Sequence, residues 1–194
     1  VDLARYLIGE IDAVTAVNKT FIEERPLPGK RAATFTAGGE VNSEKGKVEV
    51  EDASFMIAEF ENGALGSFES TRFASGRKNY NTFEIYGSKG ALTFNFEHMN
   101  ELQYLNLDDP ADEQGFKTIL VTNMTHPYAA WWAAGHVIGY ENTFVHAVAD
   151  FLKAVEKNET IEPNFHDGEK IIRTLEAAAL SSDEKRRVEV SEIK

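Results

Sequence analysis

The sequence predicts an α+β fold, a large, open, mostly antiparallel sheet with helices packed on one face. Two observations predict it. Between residues 48 and 121, short β-leaning runs are separated by turns carrying Gly and Asn. After residue 140 the apolar period lengthens to about 3.6 residues, that of an amphipathic helix. Strands followed by helices make a segregated arrangement, not an alternating βαβ array.

The elements follow in order. Leu3, Tyr6 and Leu7 before Gly9 read as a helix end stopped by glycine. With no initiating Met, this opening suggests a piece of a longer protein. Residues 13–17 are β-leaning, with 20–22 as an extension. Residues 23–47 are polar and rich in Gly and Pro, including Gly38-Gly39, and are expected to form a surface excursion. Residues 53–60 and 64–71 are strands joined by an Asn62-Gly63 hairpin turn. Residues 82–87 and 91–96 form a second hairpin through Ser88-Lys89-Gly90, and 102–107 and 117–121 are further strands.

Two helices close the chain. Residues 142–155 carry Phe144, Val145, Val148, Phe151, Leu152 and Val155 on one stripe. His166-Asp167 opens the second, with Asp167 as N-cap and Ile171, Ile172, Leu175, Ala178, Ala179 and Leu180 as its apolar face. Residues 188–190 are a short terminal strand. Phe55-Met56-Ile57-Ala58 is apolar on both strand faces, so the face without helices is expected to meet a partner.

Composition narrows the function. The chain has 194 residues, expected to form one domain spanning 1–194, with a net charge of −12. That charge argues against nucleic acid and anionic membrane surfaces, both of which demand clustered cations. No apolar run is long enough for a membrane span, no signal peptide is visible, and a cytoplasmic location is expected. With no Cys, disulfides and thiolate chemistry are excluded. The five His are scattered without metal-binding spacing, so no metal site is expected. No G-x-G-x-x-G, phosphate-binding lysine loop or G-x-S-x-G elbow is present.

Two segments are richer than a core requires. Residues 71–81 place Arg72, Arg77 and Lys78 with Asn79, Tyr80 and Asn81 in one connection. In an acidic chain this local cationic excess suits hydroxyl or phosphate recognition; the alternative is a solvated hairpin loop. Residues 131–142 hold both tryptophans beside Gly135-His136 and Gly139-Tyr140. Aromatic faces stack on sugar C–H surfaces while His and Tyr reach hydroxyls; the alternative is an anchored loop over the sheet edge. The substrate-binding candidates are Arg72, Arg77, Tyr80, His136 and Tyr140.

Four stretches carry a resemblance. Residues 2–11 (DLARYLIGEI) resemble the helix after the catalytic histidine in the Gfo/Idh/MocA family of NAD(P)-dependent oxidoreductases. Residues 83–90 (FEIYGSKG) are similar to that family's G-s-k-G hairpin. Gly135-His136-Val137-Ile138-Gly139-Tyr140, followed by Phe144 and Asp150-Phe151, resembles its GH-x-x-GY…DF signature. Residues 164–190, with Asp167-Gly168 and Ser181-Ser182, resemble its closing helix.

The resemblance implies a dihydrodipicolinate reductase-like C-terminal domain, with NAD or NADP held by an N-terminal Rossmann domain in the parent protein. It implies a sugar, inositol or related polyol as substrate and a homodimer or homotetramer built through the sheet. The family's catalytic Lys, Asp and His match nothing here. Asp2 matches only the last Asp of the D-x-x-x-H-x-x-D pattern, which suits structure or orientation. No catalytic residue is therefore assigned, and no cofactor is expected on this chain alone. The competing readings are a stand-alone binding or assembly module and an NAD-using glycosidase relative.

Overall fold

The computed structural model describes residues 1–28, 41–126, 128 and 131–194. In order, the elements are helix α1 (Asp2–Leu7), strands β1 (Ile11–Lys19), β2 (Glu24–Pro28), β3 (Val41–Lys47), β4 (Ala53–Phe60) and β5 (Leu65–Thr71), then β6 (Thr82–Gly87), β7 (Gly90–Asn95), β8 (Glu101–Asn106) and β9 (Lys117–Leu120), and finally α2 (Tyr140–Lys157), α3 (Phe165–Glu184) and β10 (Val188–Glu189). Every described strand pairing is antiparallel. The α+β class predicted from the sequence is the one observed. The expected large sheet is divided into three hydrogen-bonded sheets, in the orders β10-β1-β4-β5, β2-β3 and β6-β7-β8-β9. No ladder hydrogen bond continues through the connection between β5 and β6. The chain forms two compact units, Val1–Ala74 with Glu162–Lys194, and Ser75–Ile161.

The first unit is a layer of α3 on the β1-β4-β5 sheet. Val14, Ala16, Met56, Ala58 and Phe60 form the covered sheet face, joined by Val188. The helix side of that layer differs from the expected stripe. Thr174, Ala177, Ala178 and Ser181 are buried, whereas Ile172 and Leu175 are exposed. Small residues let the helix approach β1 closely, and the two hydroxyls are buried already satisfied. Thr174 Oγ1 donates to the Lys170 carbonyl (2.9 Å). Ser181 Oγ accepts from the Ala16 N–H (2.9 Å) and donates to the Arg186 carbonyl. Ser182 Oγ accepts from the Asn18 N–H (2.9 Å). Because β10 pairs only with Ala13 and Val14, these serines complete the edge of β1 where the strand partner runs out.

Other boundaries depart from the sequence reading. Residues 24–28 and 41–47, expected as surface excursion, pair as a ribbon with Glu24 opposite Lys47 and Pro26 opposite Lys45. Their polar and Pro-rich composition hides strands that bury little apolar area. Gly38-Gly39 lies outside the described residues. The N-cap of α3 is Asn164, not Asp167. The Asn164 side chain accepts from the His166 N–H (2.8 Å), and Asp167, three residues into the helix, accepts from the Asn164 N–H (2.8 Å). This is a reciprocal capping box. At the second hairpin, a Cβ on Gly90 would lie 2.1 Å from the Leu105 carbonyl oxygen, so only glycine fits. The apolar stripe of α2 is exposed, and Ala154 alone of its residues is buried. Within its own unit the helix turns His146 and Asp150 inward, towards aromatic partners.

Charge ties the start of the first unit to α3. The Arg5 guanidinium is almost fully buried and holds both Glu10 carboxylate oxygens (2.9 and 3.0 Å). It also reaches the Asp167 carbonyl (3.3 Å). Lys170 adds a second cation on Glu10 (2.9 Å). The Arg5 hydrogen bonds, helped by Lys170, lower the Glu10 pKa to about 2. No helix among the described residues is long and apolar enough to cross a membrane.

Two outcomes follow from this unit. Ser181→Ala leaves the buried Ala16 N–H without a partner and should cost about 1–3 kcal/mol in urea unfolding, whereas the same change at the less buried Ser182 should cost less. For Glu10 the sign is set by its depressed folded pKa. Its contribution is present above the unfolded value of 4.5 and is lost as the pH falls towards about 2. Glu10→Gln should therefore flatten the stability profile across that window; a profile as steep as wild type would assign the acid transition to other carboxylates.

Candidate functional site

The recognition candidates concentrate in the second unit, around the turn that follows β7. Asn95 caps this 3-10 turn by accepting from the Glu97 N–H (2.9 Å). The turn presents Glu97 to the connection before β6. There the Glu97 carboxylate accepts from the Lys78 N–H (2.8 Å) and from Arg77 Nη1 (3.3 Å). The Lys78 N–H, with Arg77 adding to it, holds the Glu97 carboxyl below the usual carboxylate range. Arg77 also lies over the Tyr80 ring, 3.8 Å from its centroid. Arg77 is thus occupied by a carboxylate and an aromatic face.

A depression of about 530 Å³ opens beside this turn. It is lined by Gly76, Lys78, Asn79, Phe96, Glu97, Met99 and Tyr140. The Tyr140 ring meets Phe96 and Phe144 edge to face, with centroids 5.7 and 5.0 Å away. The lining offers donors from Lys78 and Asn79, acceptors from Glu97 and Asn79, a phenol, and apolar surface. That combination suits a neutral, hydroxyl-rich ligand.

A second depression, of about 360 Å³, is lined by Asn100, residues 120–124 and residues 134–137. His136 sits here at the end of a turn in which its N–H donates to the Ala133 carbonyl (3.1 Å). Gly135 within that turn has φ +81°, a left-handed conformation that favours glycine. His136 Nδ1 lies 3.2 Å from the same carbonyl. A carbonyl only accepts, so Nδ1 is the donor in this contact, and the neutral ring then offers Nε2 as an acceptor.

Between the two depressions in sequence, the Asn100 side chain grips one residue of the facing segment. Its Oδ1 accepts from the Ile138 N–H and its Nδ2 donates to the Ile138 carbonyl, both at 2.9 Å. The next residue, Gly139, donates its N–H to Asn142 Oδ1 (2.6 Å), which caps α2. Tyr140 is the first residue of that helix.

The structure groups the sequence candidates unevenly. Arg77 and Tyr80 touch each other, Tyr140 lines the larger depression, and His136 lines the smaller. Arg72 belongs to the first unit, where its backbone N–H donates to the Asp52 carbonyl (2.9 Å). Asp2 opens α1 in that same unit. Both tryptophans pack on α2. Trp132 Nε1 donates to His146 Nε2 (2.6 Å), Trp131 meets the His146 ring edge-on, and Lys153 lies over Trp131. Tyr128 stacks on His146 and donates its hydroxyl to Asp150 (2.7 Å). These rings anchor the loop before α2 to the helix. Sequence reasoning missed Glu97 and Asn100, because their partners are main-chain groups 19 and 38 residues away.

Comparison with known proteins places this geometry in a family. The profile described as the GFO/IDH/MocA C-terminal domain matches residues 1–93. Levoglucosan dehydrogenase of Pseudarthrobacter phenanthrenivorans is 41% identical across all of this chain, which covers 50% of that protein. An oxidoreductase domain protein from Kribbella flavida superposes with a TM-score of 0.87 at 41% identity, covering 98% of this chain and 49% of that one. A complex of levoglucosan dehydrogenase with NADH and L-sorbose gives a TM-score of 0.87 at 39% identity, covering 97% and 47%. The chain thus spans about half the length of the relatives it matches. The chain belongs to the Gfo/Idh/MocA family, as a C-terminal domain.

Proposed function

We propose that residues 1–194 are the substrate-binding and oligomerisation part of a cytoplasmic NAD- or NADP-dependent oxidoreductase acting on a secondary alcohol of a sugar, inositol or related polyol. The observation that carries this reading is 41% identity to levoglucosan dehydrogenase along the whole chain. The chemistry of the Tyr140 depression supports it, since stacking surface and mixed donors and acceptors are what a polyol demands. The sequence carries no G-x-G-x-x-G motif of the kind that cradles a pyrophosphate, and the dinucleotide is assigned to an N-terminal Rossmann domain of the parent protein. When bound, the nicotinamide supplies the hydride acceptor. The residues here bind and orient the polyol. Tyr140 and Glu97 take hydroxyls at the larger depression, and His136 Nε2 accepts one at the smaller. Arg77 acts by holding Glu97 and Tyr80.

The test uses the complete protein with NAD+ or NADP+ and a panel of levoglucosan, free hexoses and inositols. Tyr140→Phe and His136→Ala should each lower kcat/KM about 2- to 12-fold, the equivalent of one hydrogen bond of about 0.5–1.5 kcal/mol, with cofactor affinity unchanged. The isolated chain should give no turnover. Wild-type kcat/KM in both variants would make the two depressions structural, and turnover by the isolated chain would place the chemistry in residues 1–194.

The same reading assigns the open face of the β1-β4-β5 sheet to self-association. Val17, Phe55, Ile57 and Leu65 are exposed there, and Val17 lies directly opposite Phe55 on the paired strands. A stable dimer or tetramer should bury on the order of 1,200–2,000 Å² per interface or more. Light scattering at micromolar concentration should show an oligomer that Ile57→Glu converts to monomer. A monomeric wild-type protein would remove this assignment.

A further inference from the structure

We propose that Asn100 is the positioning residue of the polyol site, holding the Ile138-Gly139-Tyr140 segment so that the Tyr140 ring faces the larger depression. The proposal rests on the reading that Tyr140 contacts substrate. Asn100 itself lines only the other depression, with residues 134–137. Its amide forms both of its bonds to a single residue, accepting from the Ile138 N–H and donating to the Ile138 carbonyl, each at 2.9 Å. Such a two-point grip fixes the rotation of the main chain as well as its distance. One bond alone would leave the segment free to pivot about it. Two residues on, Tyr140 begins α2, whose first turn is locked by Asn142 on the Gly139 N–H (2.6 Å). The segment is therefore held from outside by Asn100 and from the helix by Asn142. On the other side of the grip, the turn carrying His136 closes through the Ala133 carbonyl.

The turn carrying Asn100 also builds the opposite wall of the Tyr140 depression. Phe96, Glu97 and Met99 all line it, and Phe96 touches the Tyr140 ring edge to face at 5.7 Å. One short stretch thus supplies both the wall and the clamp that sets the spacing to Tyr140. Only an amide matches the pattern demanded at position 100, a donor and an acceptor side by side opposite one residue's N–H and carbonyl. Asp keeps the acceptor and loses the donor, and it sets a carboxylate oxygen against the Ile138 carbonyl. Leu preserves the size and loses both bonds.

The experiment compares Asn100→Leu, Asn100→Asp, Tyr140→Phe and the Asn100→Leu/Tyr140→Phe double variant in the complete protein. The probe polyol is levoglucosan, with NADH binding and thermal unfolding measured alongside. Asn100→Leu should lower kcat/KM on the order of ten-fold, chiefly through KM, with NADH affinity unchanged. Asn100→Asp, nearly isosteric and keeping one bond, should lie between it and wild type, and it serves as the comparison if Leu compromises folding. In the Tyr140→Phe background the loss from Asn100→Leu should shrink to about two-fold or less, because the hydroxyl that Asn100 positions is already gone. Wild-type kcat/KM in both Asn100 variants overturns the proposal. Equal losses from Asn100→Leu with and without the Tyr140 hydroxyl overturn it too, since the clamp would then act through something else. If wild type neither binds nor turns over levoglucosan or any other member of the hexose and inositol panel, or Tyr140→Phe changes nothing while Asn100→Leu does, it is the polyol reading of Tyr140 that fails, and the proposal with it.

Discussion

The first unit depends on one close contact, the seating of α3 on β1. Val14 on the strand and Ala177 and Ser181 on the helix are within 1% of complete burial. A helix reaches a sheet this closely only when the residues at the contact are small. Close approach in turn puts serine hydroxyls within reach of strand N–H groups. Ser181 and Ser182 do for Ala16 and Asn18 what a longer β10 would otherwise have done. Hydrophobic burial and backbone satisfaction are therefore the work of the same helical face. The Arg5–Glu10–Lys170 cluster then ties the opening helix to the same α3.

In the second unit, side chains grip the main chain where regular structure ends. Asn95 and Asn142 cap helical turns, Glu97 collects the Lys78 N–H, and Asn100 takes both polar groups of Ile138. Loops that carry recognition residues have few backbone partners of their own, so amide and carboxylate side chains supply them. The consequence for function is that the polar side chains divide into two kinds. Tyr140 and His136 line open depressions, whereas the Asn100 amide and the Arg77 guanidinium are engaged with the protein beside them. The aromatic cluster of Tyr128, Trp131 and Trp132 on His146 is a further anchor of this kind.

Local signals in the sequence differ in how much of the fold they carry. The hairpins at Asn62-Gly63 and Ser88-Lys89 were legible, because turn chemistry is local and the flanking strands are rich in β-formers. The ribbon of β2 and β3 was not, because two polar strands containing proline have no alternating apolar face to announce them. Asp167 looked like a cap because it precedes the apolar run. The observed box has it three residues inside the helix, answering Asn164. Ile172 and Leu175 looked like core because they fall on the apolar stripe of α3. The contact selected the small residues instead.

By itself the sequence determined the α+β class, the antiparallel pairing, the positions of the two long helices and the family. All of these depend on local periodicity, turn chemistry and short motifs that survive without knowledge of what lies opposite. Tertiary structure alone decided which face of α3 is buried, that the tryptophans serve as anchors, and that Glu97 and Asn100 bind main-chain groups beside the two depressions. The physical reason is common to all three. Each depends on a partner distant in the chain, and in two of the polar cases that partner is a main-chain group, which every residue carries and which therefore leaves no mark in the sequence.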